Sequence, residues 1–227
     1  MDGIGTVLVT GGASGLGHAV AAAVRDAGGT PVVLDIAEAP GFDHHVVDLA
    51  DTRAAEAAVR LAAEEYGGLD AVFTAAGIDH PAPLGELPGA TWDRVIAVNL
   101  LGTAAVVRAA LPHLRRSNGI VVTCASTLGF RAVSDATAYC ASKWGVVGFT
   151  RALAAELKGT VRVTMLVPGG MHTSFFDGRD EQYKPPRDAK LNRPEDVAAS
   201  VLFALRQPPG CEVREMVVCP SMEPSWP

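Results

Sequence analysis

The chain has 227 residues, 48% of them hydrophobic and 19% charged, and a formal charge of −6. That length and apolar content suffice for one domain with one sizeable core. The acidic balance, with no basic block beyond Arg115-Arg116, argues against nucleic acid or an anionic membrane surface as partner.

Residues 1–6 carry neither a basic start nor an apolar segment, so no signal peptide is expected. In chain order, β-branched runs at residues 4–10, 31–35, 44–47, 70–74, 119–124, 161–167 and 212–219 predict strands. Ala-rich stretches at 16–27, 52–66, 92–116, 138–157 and 194–206 predict helices between them. Strands that are apolar throughout, alternating with helices, point to parallel βαβ units covered on both faces. The expected fold class is α/β: a single doubly wound parallel sheet of the Rossmann type, about seven strands flanked by helices, over residues 1–227. Helix boundaries carry matching signals, with Gly28-Gly29 closing the first helix, Gly67-Gly68 the second, and Pro194-Glu195-Asp196 opening the last.

Residues 169–193 form a long irregular stretch containing Phe175, Phe176, Tyr183, Pro185 and Pro186, expected to be a lid over a site at the strand ends. No apolar run approaching the ~20 residues that span a bilayer is read in the sequence, and a soluble, cytoplasmic chain is expected. The four cysteines, Cys124, Cys140, Cys211 and Cys219, lack C-x-x-C spacing and are expected to be reduced, buried residues.

Two motifs carry chemistry. Thr10-Gly11-Gly12-Ala13-Ser14-Gly15-Leu16-Gly17 joins the first strand to the first helix. Glycines there permit a tight turn and close approach of the backbone to a pyrophosphate, which the helix N-terminus attracts. A merely flexible turn is the alternative; the order strand, glycines, helix favours a nucleotide. Asp35 ends the second strand, where a carboxylate accepts hydrogen bonds from adenosine ribose hydroxyls. A 2′-phosphate would meet it as a like charge, and neither Ser14 nor Ile36 offers a cation, so NAD is expected rather than NADP.

The second motif is Tyr139 and Lys143, one helical turn apart and so on one helix face. A phenol of pKa ~10 exchanges protons poorly at neutral pH unless a nearby positive charge favours the phenolate. Ser126 follows the strand at 119–124, and Asn99 is a polar residue in the apolar helical run Val98-Asn99-Leu100-Leu101-Gly102. His44-His45 point to opposite strand faces and cannot share one metal, so no metal is expected. His80 and His172 are candidates for the substrate mouth. Phe130, Met171, Phe175, Phe176 and Tyr183 are candidates for its apolar lining.

The glycine pattern T-G-x-x-x-G-x-G, the ordered set Asn99, Ser126, Tyr139 and Lys143, and Pro168-Gly169 followed by Thr173 together resemble the short-chain dehydrogenase/reductase family, from Val7 to about Val218. The resemblance implies that Ser126 hydrogen-bonds the substrate oxygen and that Tyr139 is the general acid or base. It implies that Lys143 lowers the Tyr139 pKa and holds the nicotinamide ribose, and that Asn99 supports a water relay. It further implies that Gly11, Ser14, Gly15, Leu16, Gly17, Asp35, Ile36, Asp48, Leu49, Ala75, Ala76, Gly77, Pro168, Gly169 and Thr173 bind the cofactor. Asp48-Leu49 would meet the adenine and Pro168 to Thr173 the carboxamide. Thr74 stands where the family usually has Asn, which puts that position's support of the central sheet in question.

The activity implied is hydride transfer between NAD(H) and a secondary alcohol or ketone. Epimerisation, dehydration and a catalytically silent NAD-binding regulator remain alternatives. A homo-oligomer formed through the helices at 92–116 and 138–157 is implied, with the tail Glu223-Pro224-Ser225-Trp226-Pro227 expected at a subunit interface.

Overall fold

The apolar runs become β1 (Thr6–Thr10), β2 (Thr30–Asp35), β3 (Asp43–Val46), β4 (Ala71–Thr74), β5 (Ile120–Cys124), β6 (Arg162–Pro168) and β7 (Glu215–Val218). They form one parallel sheet of seven strands in the order β3-β2-β1-β4-β5-β6-β7. This is the doubly wound α/β arrangement that the sequence predicts. The computed structural model describes residues 3–226; Met1, Asp2 and Pro227 lie outside the described residues.

Both faces of the central strands are buried, which is why those strands are not alternately polar. On one face Leu8, Val72 and Val121 pack against Val59 of α2 (Thr52–Glu65) and Val106 and Ala110 of α4 (Thr103–Ser117). On the other, Val7, Val9, Phe73 and Val122 pack against Val20 and Val24 of α1 (Gly15–Asp26) and Val197 and Val201 of α6 (Pro194–Leu205). Asp51 caps α2, its carboxylate accepting from the Arg53 and Ala54 amides at 3.0 Å each.

The helix expected at 92–116 is instead α3 (Gly89–Ile96), a π segment (Ala97–Gly102) and α4 in continuous succession. Its Asn99 carbonyl accepts a hydrogen bond from Thr103 Oγ1 at 2.9 Å, and such π turns gather at functional sites. Taken as one run, Gly89–Ser117 is long and apolar enough by length and composition to cross a membrane, contrary to the sequence reading. Half of its most apolar window is buried within the fold, as in a core helix.

The chain leaves β1 for β2 and β3 and then returns to β4 on β1's other side, so a crevice opens at the carboxyl ends of β1 and β4. Two segments cover it. Residues 169–193 leave β6 and contain 3-10 turns at Ser174–Phe176 and Glu181–Tyr183. Their ends are tied together, the His172 amide donating to the Asn192 carbonyl (2.9 Å) and the Asn192 amide to that of Gly170 (3.0 Å).

The second segment is the C-terminal tail, which folds back onto its own chain. Glu223 accepts from the Gly170 amide at 2.9 Å, Ser225 Oγ donates to Thr127 Oγ1 at 2.7 Å, and the Trp226 ring meets Phe130 edge-on. The tail thus packs on its own chain through Glu223, Ser225 and Trp226. Of the cysteines, all unpaired, Cys124 and Cys140 are buried as expected, Cys219 is half-buried, and Cys211 is exposed because it sits in the loop before β7.

Candidate active site

A cavity of about 1100 Å³ fills the crevice beneath the two covering segments. Every residue singled out in the sequence for cofactor binding or catalysis lines it except Asn99, which is buried behind the wall.

At one end is the glycine turn. Gly11 has φ +71°, and a side chain there would strike the Ala76 backbone at 2.8 Å. A Cβ on Gly17 would lie 2.2 Å from the Gly11 carbonyl oxygen, so the turn closes only around glycine. Asp35 braces it, accepting from the Ala13 amide at 2.9 Å and the Ala37 amide at 3.0 Å. Asp48 accepts from the Ala50 amide (2.9 Å) and pairs with Arg94 (3.0 Å), which holds its carboxyl below the usual carboxylate range. Thr173 lies against Gly15, and its hydroxyl caps the 3-10 turn at Ser174–Phe176.

At the other end α5 (Thr137–Glu156) places Tyr139 and Lys143 in its first two turns. Lys143 is 4% exposed; its Nζ donates to the Cys124 carbonyl at 2.8 Å and lies 5.6 Å from the centre of the Tyr139 ring. Burial pushes the Tyr139 phenol above its ordinary range, the neighbouring Ser126 hydroxyl acting in the opposite direction. Burial likewise lowers the Lys143 ammonium. Both shifts disfavour the charged forms, so this environment does not of itself produce the lowered tyrosine that the sequence resemblance implies. Ser126 Oγ accepts from the Leu128 amide at 3.1 Å, leaving its own hydrogen free to donate.

Asn99 acts as a clamp. Its Oδ1 accepts from the Ile78 amide (2.8 Å), while Nδ2 donates to the Ile78 carbonyl (2.9 Å) and to Ser142 Oγ (3.0 Å). Ser142 Oγ donates in turn to the Tyr139 carbonyl at 2.8 Å. One network thus fixes the tyrosine-bearing turn of α5 to the loop after β4. All side-chain polar groups of Asn99 are engaged, so in this geometry it positions neighbours.

Thr74 is buried and its hydroxyl has no hydrogen-bond partner. The link across the switch point comes from Thr10, whose Oγ1 accepts from the Ala76 amide at 3.1 Å. Of the candidate mouth residues, His80, Met171, Phe175, Phe176 and Tyr183 line the cavity. His172 does not line it but a second crevice among residues 171–191, and Phe130 packs against Trp226. His45 pairs with Glu65 at 3.1 Å, and His44 Nδ1 lies 3.0 Å from the Phe42 carbonyl. Sequence reasoning missed Asp79 and Arg179, which face each other across the mouth, and Glu223; no local pattern marks them.

A model of the short chain dehydrogenase family matches residues 5–184. The chain belongs to the short-chain dehydrogenase family. An uncharacterized oxidoreductase of Staphylococcus aureus (strain MW2) is 33% identical to it over 94% of this chain and 96% of its own length. The L-fucose dehydrogenase of Mus musculus is 32% identical over 93% and 86%. Among solved structures, an alcohol dehydrogenase from Thermococcus sibiricus, complexed with 5-hydroxy-NADP, has a TM-score of 0.83 at 24% identity, covering 94% of this chain and 95% of that one. An aldohexose dehydrogenase of Thermoplasma acidophilum in ligand-free form has 0.85, also at 24% identity, over 94% and 92%. At that identity these two structures establish the fold. As a short-chain dehydrogenase the protein is an oxidoreductase on a dinucleotide-binding scaffold, and its glycine cradle and long cavity fit such a cofactor.

Proposed function

We propose that this short-chain dehydrogenase transfers a hydride between NAD(H) and a secondary alcohol or its ketone, with Tyr139 as general acid or base. The observation that carries the reading is the meeting of Ser126, Tyr139 and Lys143 in one buried corner of a cavity whose other end is the glycine turn. The similar proteins described above include dehydrogenases of an alcohol, an aldohexose and L-fucose, all CH–OH compounds.

Gly11, Ser14, Gly15, Leu16 and Gly17 would hold the pyrophosphate through backbone N–H groups and the α1 dipole. Asp35 and Ile36 would meet the adenosine ribose, Asp48 and Leu49 the adenine, and Lys143 the nicotinamide ribose. Ala75, Ala76 and Gly77 would form the wall between, with Pro168, Gly169 and Thr173 at the carboxamide. The Asp35 carboxylate favours NAD, because a 2′-phosphate would add a second anion there, and Arg94, in the same cavity, is already paired with Asp48.

When bound, NAD supplies the hydride acceptor. Ser126 donates its free hydrogen to the substrate oxygen, and Tyr139 takes the hydroxyl proton as the carbon is oxidised. Lys143, with two N–H groups beyond the one given to Cys124, keeps positive charge beside the phenolate that would otherwise be disfavoured by burial. The test is absorbance of reduced nicotinamide with a panel of secondary alcohols. Turnover is expected with NAD, with kcat/KM at least about tenfold lower for NADP from the like-charge contact. Tight NAD binding without turnover on any alcohol would instead support a silent nucleotide-binding protein, and equal use of NADP would overturn the cofactor assignment.

A further inference from the structure

The C-terminal tail brings a carboxylate to the loop after β6. Beyond β7 the chain turns back, the Glu223 amide donating to the Pro220 carbonyl at 3.0 Å, and Glu223, Pro224 and Ser225 line the cavity. Glu223 Oε2 accepts from the Gly170 amide at 2.9 Å. Its Oε1 accepts from the Ser225 amide at 3.2 Å and lies 2.6 Å from the Ser225 hydroxyl. A Cβ on Gly169 would stand 2.5 Å from Oε2, so only glycine lets the carboxylate lie against this backbone. Gly169 is the residue that, in the reading above, meets the nicotinamide carboxamide.

The charge is held but not neutralised. Burial pushes the Glu223 carboxyl up, but the Ser225 hydroxyl and the Gly170 and Ser225 amides outweigh it and keep the group below the ordinary carboxylate range. It is therefore an anion at neutral pH. No salt bridge among the described residues includes it. Arg131, which also meets the tail, gives its Nη1 to the Pro224 carbonyl at 2.8 Å instead. At the reacting corner Asp79 and Arg179 offset each other at 3.1 Å, and Lys143 donates to the Cys124 carbonyl. A latch for the tail needs only acceptors for two amides and a hydroxyl, whereas an unpaired charge partly withdrawn from water is costly.

What such a charge discriminates follows from the chemistry of the cofactor. The oxidised nicotinamide ring carries one positive charge that the reduced ring lacks, and the rest of the dinucleotide is the same in both. A fixed anion beside the carboxamide attracts the first form and is indifferent to the second. Partial burial leaves that attraction only partly screened. It requires proximity and no contact, and differential interaction of this kind is what shifts an equilibrium between two states.

Resting on the dinucleotide reading above, we infer that Glu223 is a specificity residue for the redox state of the cofactor. Its charge favours the oxidised nicotinamide over the reduced one and keeps the site loaded with hydride acceptor, which suits alcohol oxidation. Lys143 acts in the opposite sense, and without Glu223 its charge would dominate the corner.

Titration of the full-length protein with NAD, by calorimetry, and with NADH, by its fluorescence, gives the ratio of the two dissociation constants without turnover. Glu223→Gln keeps hydrogen-bonding groups but not the charge, and is expected to shift that ratio about tenfold toward NADH. Ending the chain after Cys219 removes the charge by a second route and is expected to shift it the same way. Glu223→Asp, which retains the charge, should recover most of the wild-type ratio. Ser225→Ala, which loosens the tail with the charge in place, should leave the ratio within about twofold of wild type. Equal changes in both affinities in folded Glu223→Gln, or none, would show that the residue only holds the loop. That result overturns the inference and leaves the dehydrogenase reading intact. If the protein binds NADP and NADPH instead, the same ratio read on that pair decides the inference. Failure to bind any of the four overturns both readings.

Discussion

Tyr139 sits where its proton is held. Burial places the phenol above its ordinary value of 10, so its neutral form is the one the folded protein favours. A difference ultraviolet titration of cofactor-free wild type against Tyr139→Phe should therefore show no phenolate signal from this residue below pH 10, the ordinary value. A signal near pH 8 would contradict the burial argument. With NAD present, the same variant should lose about 10²- to 10⁴-fold in kcat/KM, the range of a positioned proton donor or acceptor, while calorimetry shows its NAD affinity unchanged. At this scale the tyrosine, lysine and serine were legible in the sequence because one helical turn and one strand end define their placement. Asp79 and Arg179 were not, since 100 positions separate them in the chain and each alone reads as a loop charge.

Among the elements, α2 and α4 are joined by charge as well as by apolar packing. Glu56 on α2 accepts from Arg108 Nε of α4 at 2.8 Å and from Arg53 Nη1 at 3.0 Å. Arg108 holds the Glu56 carboxyl below its ordinary 4.5, with Arg53 assisting and burial opposing. Because the folded value is the lower one, this contribution to stability is fully present above that ordinary value. It is lost as pH falls through the lowered folded value. Thermal midpoints of wild type and Arg108→Leu should converge between pH 7 and pH 3, with the wild type losing more; parallel curves would count against the linkage. The strands and helices were readable from apolar runs and glycine stops. The π segment was not, because one extra residue in a turn leaves the apolar spacing of residues 92–116 almost unchanged. Its cause is tertiary: Asn99 reaches Ile78 and Ser142, 21 and 43 positions away.

For the whole molecule, Leu101 on the π segment and Trp144 on α5 leave large apolar surface exposed, 50% and 52% respectively. Exposed apolar groups of this size on the two helices that the family resemblance assigns to assembly predict a homo-oligomer. Light scattering should give a multiple of 23.5 kDa, and Trp144→Glu should shift it toward the monomer. A monomeric wild type at micromolar concentration would refute the assignment.

The sequence by itself determined the layered α/β sheet, the glycine turn and the shared helix face of Tyr139 and Lys143, because each depends on residue type at short, regular spacing: apolar runs for strands, glycine where a Cβ cannot fit, and i to i+4 for Tyr139 and Lys143. Only the tertiary structure decided that Asn99 clamps the loop after β4, that the tail closes over Gly170, and that Asp79 faces Arg179 above the phenol. Those contacts join segments far apart in the chain, and their hydrogen-bond geometry and burial exist only once the sheet has brought the loops together.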